Sequence, residues 1–179
     1  MSPTEPMRLF IGTALPAHVS ASLTGQVQGF LSDPRWRAAP VEQWHVTALF
    51  IGERPAGQLE RIQAEVERIA SGTPHIRLSE GRLITMPKDA PYMLWVRFTP
   101  HPALTALHHA LAQATGTAPS AYVPYWPHIT LARTARTNAP AHNGDIVLPE
   151  LMLDHLTLFR SQLAPGGMAH TPLYTWPLS

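Results

Sequence analysis

The sequence predicts an α+β fold built from two similar halves, and three observations carry that expectation. Segments in which apolar residues alternate with period two are interspersed with segments of helical period, as packed layers of strands and helices require. The order strand, helix, strand, helix, strands is followed by strand, helix, strand again. The pattern His-x-Thr opens a predicted strand in each part, at His45 and at His128, 83 positions apart in a chain of 179 residues.

Residues 8–14 (Arg-Leu-Phe-Ile-Gly-Thr-Ala) read as the first strand. Pro16 suits the first turn of a helix whose apolar face is Val19, Leu23, Val27 and Phe30, with Gly25 and Gly29 weakening it. Asp33-Pro34 breaks the chain, and Trp36-Arg37 begins a short strand. The segment from Trp44 to Ile51 reads as a clearer strand closed by Gly52. Leu59, Ile62, Val66 and Ile69 then fall in helical register, ended by Ser71-Gly72. Strands follow near residues 75–78, 82–86 and 92–98. Pro102 opens a helix carrying Leu104, Leu107 and Leu111, which stops before Gly116. A Pro- and aromatic-rich loop, 119–127, leads into a strand over 128–132, and 133–144 reads as a polar loop. Two last strands, 151–160 and 168–176, are joined at Pro165-Gly166-Gly167.

Composition narrows the function. The chain is 45% hydrophobic and 14% charged, with a net charge of +1 when His is neutral. It can bury a core, and it lacks the charge for a global grip on nucleic acid, which leaves a local basic patch open. There is no Cys, which excludes a disulfide scaffold, thiolate metal sites and a Cys nucleophile, and suits the cytoplasm. Two stretches without Asp, Glu, Lys or Arg, 9–32 and 98–132, carry Pro, His, Gln and Gly where a membrane span needs about twenty apolar residues, so no membrane association is expected. Glu5, Pro16 and the shortness of the apolar run between them argue against a signal peptide. There is no Gly-rich phosphate loop, dinucleotide fingerprint or Gly-x-Ser-x-Gly elbow.

What recurs is His-x-Thr, at His45-Val46-Thr47, His128-Ile129-Thr130 and His155-Leu156-Thr157. With ten His and sixteen Thr in 179 positions, chance alone gives roughly one such match. On a strand, residues i and i+2 share a face about 7 Å apart, so the pattern sets an imidazole beside a hydroxyl. Two such strands facing each other surround a small cavity with two imidazoles and two hydroxyls. That set suits a phosphate: hydroxyls bond its oxygens while one imidazole takes a proton and the other delivers one. Repulsion between two nearby imidazolium charges favours one neutral and one protonated ring. The spacing of His45 and His128 fits an internal near-duplication. His155, only 27 residues past His128, has no such mate and reads as a structural or rim histidine.

The flanks of the first two copies, Trp44-His45-Val46-Thr47-Ala48-Leu49-Phe50-Ile51-Gly52-Glu53 and Pro127-His128-Ile129-Thr130-Leu131-Ala132-Arg133, resemble the paired motifs of the two-histidine (2H) phosphoesterases. Within that group the match is to the RNA 2′,3′-cyclic phosphodiesterases, the ThpR or LigT family, first described as 2′-5′ RNA ligases. Arg8-Leu9-Phe10 with Leu15-Pro16-Ala17 is similar to the family's opening strand and helix. Leu156 to Ser161, Thr171-Pro172-Leu173 and Trp176-Pro177-Leu178 are similar to its closing hairpin. The resemblance implies one bilobal domain over 1–179, with two antiparallel sheets facing a cleft and helices outside. It implies metal-independent hydrolysis of a 2′,3′-cyclic phosphate at an RNA 3′ end to a 2′-phosphate, with no cofactor. His45, Thr47, His128 and Thr130 match the family's catalytic quartet, and Arg133 its phosphate-binding basic residue. Three departures stand out: Ala48-Leu49 inverts a common Leu-Ala order, His170 stands where a Tyr is frequent, and Arg133 lies five residues from His128. Simple alternation would turn Arg133 to the opposite face, so a bulge or strand end must redirect it.

Other groups carry weaker signals. His108-His109 diverge by about 100° on a helix and lack a neighbouring carboxylate, and His101 is too far from them to share an ion. No metal site is therefore expected. Phe10, Tyr122, Tyr125 and Trp126 could stack on bases, with plain packing as the alternative. Arg35, Arg37, Arg133, Arg136 and Arg160 could steer phosphate, or each could be a solvated surface residue. The expected partner is RNA with a 2′,3′-cyclic phosphate end or a small cyclic nucleotide, met by a monomer. The bet on roles is His128 as base and His45 as acid. Two rival readings stay open at this point: 2′-5′ ligation as the main reaction, and a non-catalytic RNA-end or nucleotide-binding module on the same fold.

Overall fold

The computed structural model describes residues 4–121, 124–134, 141–165 and 167–179. Strand β1 (Pro6–Ala14) turns Met7, Leu9 and Ile11 into the core. Helix α1 (Ala17–Leu31) follows with Pro16 as its N-cap and Val19, Leu23 and Val27 buried. Next come β2 (Arg37–Ala38) and β3 (His45–Pro55). Helix α2 (Leu59–Ala70) buries Ile62, Val66 and Ala70, one stripe of its surface. Strands β4 (Ile76–Leu78), β5 (Arg82–Met86) and β6 (Met93–Arg97) lead to α3 (Pro102–Thr115). Pro102 starts α3 where its missing N–H costs nothing, and Gly116 ends it in the left-handed region at φ 62°. The chain closes with β7 (His128–Arg133), β8 (Asn143–Asp145), β9 (Leu151–Leu153), β10 (His155–Ala164) and β11 (Gly167–Pro177).

Two antiparallel sheets face a cleft. One has the order β11-β10-β1-β3, the other β2-β7-β6-β5-β8, and β4 pairs separately with β9. Helices α2 and α3 pack on the first sheet. Helix α1 lies toward the second, with Phe30 edge-on to His142 at 4.5 Å and the Gln26 side chain accepting from the Val147 N–H at 3.0 Å. No helix among the described residues is long and apolar enough to cross a membrane.

Four expectations change. The two similar parts are not consecutive halves: the sheet holding His45 is completed by the C-terminal hairpin, and the sheet holding His128 takes its edge strand, β2, from the N-terminal part. The repeated unit is smaller, β1-α1-β3 against β6-α3-β7, in each case two antiparallel neighbours joined through a helix. Gly52 does not close β3; at φ 81° it lies within a strand that runs on to Pro55. The segment 151–160 is two strands broken at Asp154, and β8 lies in what reads as a polar loop, because Asn143 to Asp145 find partners on β5.

Strands β1 and β3 approach closely where Gly12 faces Thr47. A Cβ on Gly12 would lie 2.6 Å from the Val46 carbonyl oxygen, a backbone atom that cannot turn aside. Gly12→Ala should therefore cost about 1–3 kcal/mol through forced strand separation, at about 2–4 °C per kcal/mol for a chain of this size. Thermal unfolding followed by circular dichroism checks this, and an unchanged midpoint would show that the strands part freely.

Candidate active site

His45 and His128 each begin a central motif strand, and the two strands hold them by the same local device. His45 Nδ1 lies 2.7 Å from the Gln43 carbonyl oxygen, and His128 Nδ1 lies 3.0 Å from that of Trp126. In both cases the acceptor is two residues upstream. A carbonyl can only accept, so Nδ1 carries the proton of the neutral ring and Nε2 keeps its lone pair for other chemistry. The two rings are near enough for a charge on His128 to disfavour one on His45.

The strands also share a bulge. Gly12 pairs with Thr47 and Ile11 with Leu49, so Ala48 is the extra residue on β3. Trp95 pairs with Thr130 and Leu94 with Ala132, so Leu131 is the extra residue on β7. Each bulge directly follows the motif Thr and reverses the alternation beyond it. Leu131 and Ala132 are consecutively buried and Arg133 emerges exposed. Its charge reaches both His128 and His170, so the bulge supplies the redirection that the spacing requires. The equivalent position on β3, five residues after His45, is Phe50. It pairs with Phe10, with ring centroids 5.7 Å apart, and is 54% exposed.

Phe10 and Tyr125 stand corrected as base-stacking candidates. Phe10 is 1% exposed, its ring enclosed by Phe159 at 4.8 Å, His45 at 4.7 Å and His170 at 4.9 Å. It is the floor under His45. Tyr125 is buried, stacks on His108 at 4.2 Å, and donates its hydroxyl to the Thr47 carbonyl at 2.7 Å. His108, also buried, donates from Nδ1 to the Ala48 carbonyl at 2.7 Å and accepts the Ser120 N–H at Nε2. These two side chains thus bind consecutive carbonyls at the β3 bulge. Tyr122 and Arg136 lie outside the described residues.

Burial sets the electrostatics. It pushes His45 down to about 4, helped by charge on His170 and His128, and outweighs the Gln43 hydrogen bond. Burial also lowers His128, with Arg133 adding to the effect. Trp95 and Arg8 escaped the sequence reading as site residues, and His170, noted there only as standing where a Tyr is frequent, joins them at the site. Trp95 stacks on the His128 ring at 3.9 Å, and its cross-strand partner is Thr130. His170 stands edge-on to His45 at 5.3 Å, is lowered by burial, Arg133 and Arg8, and has a buried Nδ1 without a hydrogen-bond partner. Arg8 is exposed beside it. The signal for Trp95 was its place in the strand preceding α3, which mirrors β1. Thr47 is buried and Thr130 half-buried, each on the face of its own motif His.

The third His-x-Thr differs in each of these respects. His155 Nδ1 is bound to the Asp154 carboxylate at 2.6 Å rather than to a carbonyl two residues back, and β10 pairs with β1 without a bulge. Thr157 faces Gly12 from the side opposite Thr47 and is tied to Thr175 at 2.9 Å. Of the remaining basic candidates, Arg35 is paired with Asp33 and Arg160 with Glu5. Arg97, cross-strand from His128, lies 4.4 Å over the Trp126 ring. Among the described residues no group of three or more His, Asp or Glu is placed to hold a metal ion.

Comparison with known proteins identifies the family. The model of the 2′-5′ RNA ligase superfamily matches residues 16–164. An RNA 2′,3′-cyclic phosphodiesterase of Thermus thermophilus is 29% identical over 96% of this chain and 90% of its own length. Among solved structures, TT0787 of Thermus thermophilus superposes with a TM-score of 0.85 at 26% identity, covering 96% of this chain and 98% of that one. LigT of Escherichia coli without ligand gives 0.79 at 24% identity, covering 98% and 99%, a likeness of fold.

The depressed imidazoles have a direct consequence for pH. A His lowered in the fold binds protons more readily when unfolded, so stability is lost as pH falls from the ordinary 6.5 toward about 4 for His45. Ring NMR across that window should show His45 as the neutral Nδ1–H form until pH approaches 4, where a free imidazole is already charged. A midpoint near 6.5 would mean that water reaches the ring.

Proposed function

Because the chain belongs to the 2′-5′ RNA ligase superfamily, we propose that it hydrolyses 2′,3′-cyclic phosphates at RNA 3′ ends and leaves a 2′-phosphate. The observation that carries this reading is the matched pair of imidazoles, each pinned at Nδ1, with Nε2 free among the described residues. The relative named RNA 2′,3′-cyclic phosphodiesterase supports it. In-line displacement at phosphorus needs a base on the side of attack and an acid on the side of departure, and two sheets facing each other offer both. His128 takes a proton from the attacking water as the new P–O bond forms. The bond from phosphorus to the 3′ oxygen breaks, and His45 protonates that oxygen. Thr47, Thr130 and Arg133 stabilise the charge growing on the non-bridging oxygens. Phe50 offers the exposed ring that neither Phe10 nor Tyr125 presents to a base. Ligation is the same displacement with a 5′-hydroxyl attacking phosphorus in place of water and the same bond to the 3′ oxygen breaking.

The test is a 3′-terminal cyclic-phosphate oligonucleotide incubated in EDTA, with the phosphate position in the product determined. Turnover to a 2′-phosphate is expected, and activity lost to chelation and restored by a divalent ion would overturn the mechanism. His45→Ala and His128→Ala should each lose about 10²–10⁴-fold, whereas His155→Ala should keep most activity because its ring is engaged by Asp154. A 3′-thio leaving group should rescue His45→Ala and not His128→Ala; the opposite pattern would exchange the roles.

The pH dependence follows from burial. One ring must be protonated, and both are held below the ordinary value in the free protein. The bell of log kcat/KM should therefore peak on the acid side of 6.5. The bell of log kcat should lie at higher pH, since a bound phosphate anion stabilises the imidazolium. Coincident bells would contradict this.

A further inference from the structure

We propose that Arg37 and Arg133 form a subsite for the phosphate preceding the reacting nucleotide, so that the substrate is an RNA chain rather than a free cyclic mononucleotide. This rests on the cyclic phosphodiesterase reading above. Arg37 on the edge strand β2 stands directly opposite Arg133 on β7, and cross-strand partners project from one face. That face is the cleft face, since the Leu131 bulge turns Arg133 toward His128 and His170. Both arginines are exposed, and among the described residues neither has an acidic partner.

Neither head group is loose. Arg133 Nη1 lies 3.1 Å from Met93 Sδ. The Arg37 guanidinium rests against the tip of the β10–β11 hairpin, where a methyl group on Gly167 would come within 3.2 Å of Nη2. Arg37 therefore spans from one sheet to the other at one end of the cleft. Like charges set directly opposite on neighbouring strands destabilise a sheet, and the chain neutralises other arginines: Arg35 with Asp33, Arg82 with Asp145, Arg160 with Glu5. This pair is left bare, and an anion held between the two forks offsets the repulsion. Guanidinium forks match phosphate oxygens with paired donors. Across the Leu131 bulge the partner strand advances four residues, from Arg97 opposite His128 to Met93 opposite Arg133, about 13 Å at 3.3 Å per residue, and Arg37 is one strand further out. A phosphate held between the imidazoles is beyond the reach of Arg37, whereas its neighbour along an RNA strand is not.

The experiment compares a 2′,3′-cyclic mononucleotide with a dinucleotide bearing the same cyclic end, for the unaltered protein, Arg37→Ala and Arg35→Ala. Arg37→Ala should lose about 10- to 100-fold in kcat/KM on the dinucleotide, the worth of a charged hydrogen bond, and stay within about threefold on the mononucleotide. The salt dependence of dinucleotide binding should flatten by about 0.7 in log–log slope. Arg35→Ala should change neither substrate. Equal losses on both substrates, or none on either, would overturn the subsite. Calorimetric binding of a 3′-phosphorylated dinucleotide against a 3′-mononucleotide reads the subsite without turnover. If the protein hydrolyses neither cyclic substrate, the function fails, yet a dinucleotide preference that Arg37→Ala abolishes would still uphold the subsite. Equal affinities in both proteins would end it.

Discussion

The residue inserted after each motif Thr is the constraint on which the cleft depends. A regular strand would carry His45, Thr47 and the side chain five residues on to opposite faces, and likewise His128, Thr130 and Arg133. The bulges at Ala48 and Leu131 bring Phe50 and Arg133 back to the side of the imidazoles. A bulge leaves its extra residue outside the ladder, and a buried carbonyl without a donor is costly. The two sheets meet that need differently. On β7 the neighbouring strand serves, with the Ala39 N–H bound to the Leu131 carbonyl at 2.8 Å. Among the described residues β3 is the edge of its sheet and has no neighbour there. His108 and Tyr125 stand in for the missing strand by donating to Ala48 and Thr47. Tyr125 is three residues before His128, so the substitute partner for one motif strand is carried by the approach to the other.

This arrangement explains what could be read from the sequence. His-x-Thr spacing, apolar periodicity and the helix-ending Gly116 are local signals, and the strands and helices they mark are present. The edge role of Tyr125 is not local. Its ring looks the same in sequence whether it stacks on a base or on His108, and only the position of α3 against β3 decides. Phe10 was misjudged for a related reason: strand alternation puts it on the cleft face, but Phe159 from the C-terminal hairpin covers it. The need for a bulge before Arg133 was legible because a catalytic pattern and a period of two disagreed there. The same disagreement after Thr47 pointed to Phe50 and passed unread.

The electrostatics follow from packing rather than from net charge. The ring of His45 lies over Phe10, and His170 closes one side. Water is displaced on several sides, so burial outweighs the single hydrogen bond that would favour a charged ring. His128 is flattened on Trp95 with a similar result. The free cleft thus holds neutral imidazoles among arginines, an environment that an anion changes at once. A phosphate entering it favours protonation of whichever ring it touches first. On the proposed reaction, substrate binding itself creates the unlike pair of acid and base.

The duplicated unit is symmetric in how it holds its imidazoles and asymmetric in what it offers beyond them. At the fifth position after the motif His, one sheet presents the exposed ring of Phe50 and the other the cation of Arg133. A ring favours a base and a guanidinium favours a phosphate. If the reacting phosphate lies between the two motifs, these preferences orient the nucleotide, with its base toward the edge of the first sheet and its backbone toward β7 and β2. Reversing the nucleotide would set the base against two arginines that lack acidic partners and a phosphate against an apolar ring, each a loss relative to the proposed pose. An enzyme with two equivalent His-x-Thr motifs needs such a bias, because equivalent imidazoles alone cannot distinguish the 2′ oxygen from the 3′ oxygen. On the proposed reaction, the symmetric part makes in-line displacement feasible, and the asymmetric pair selects the bond that breaks.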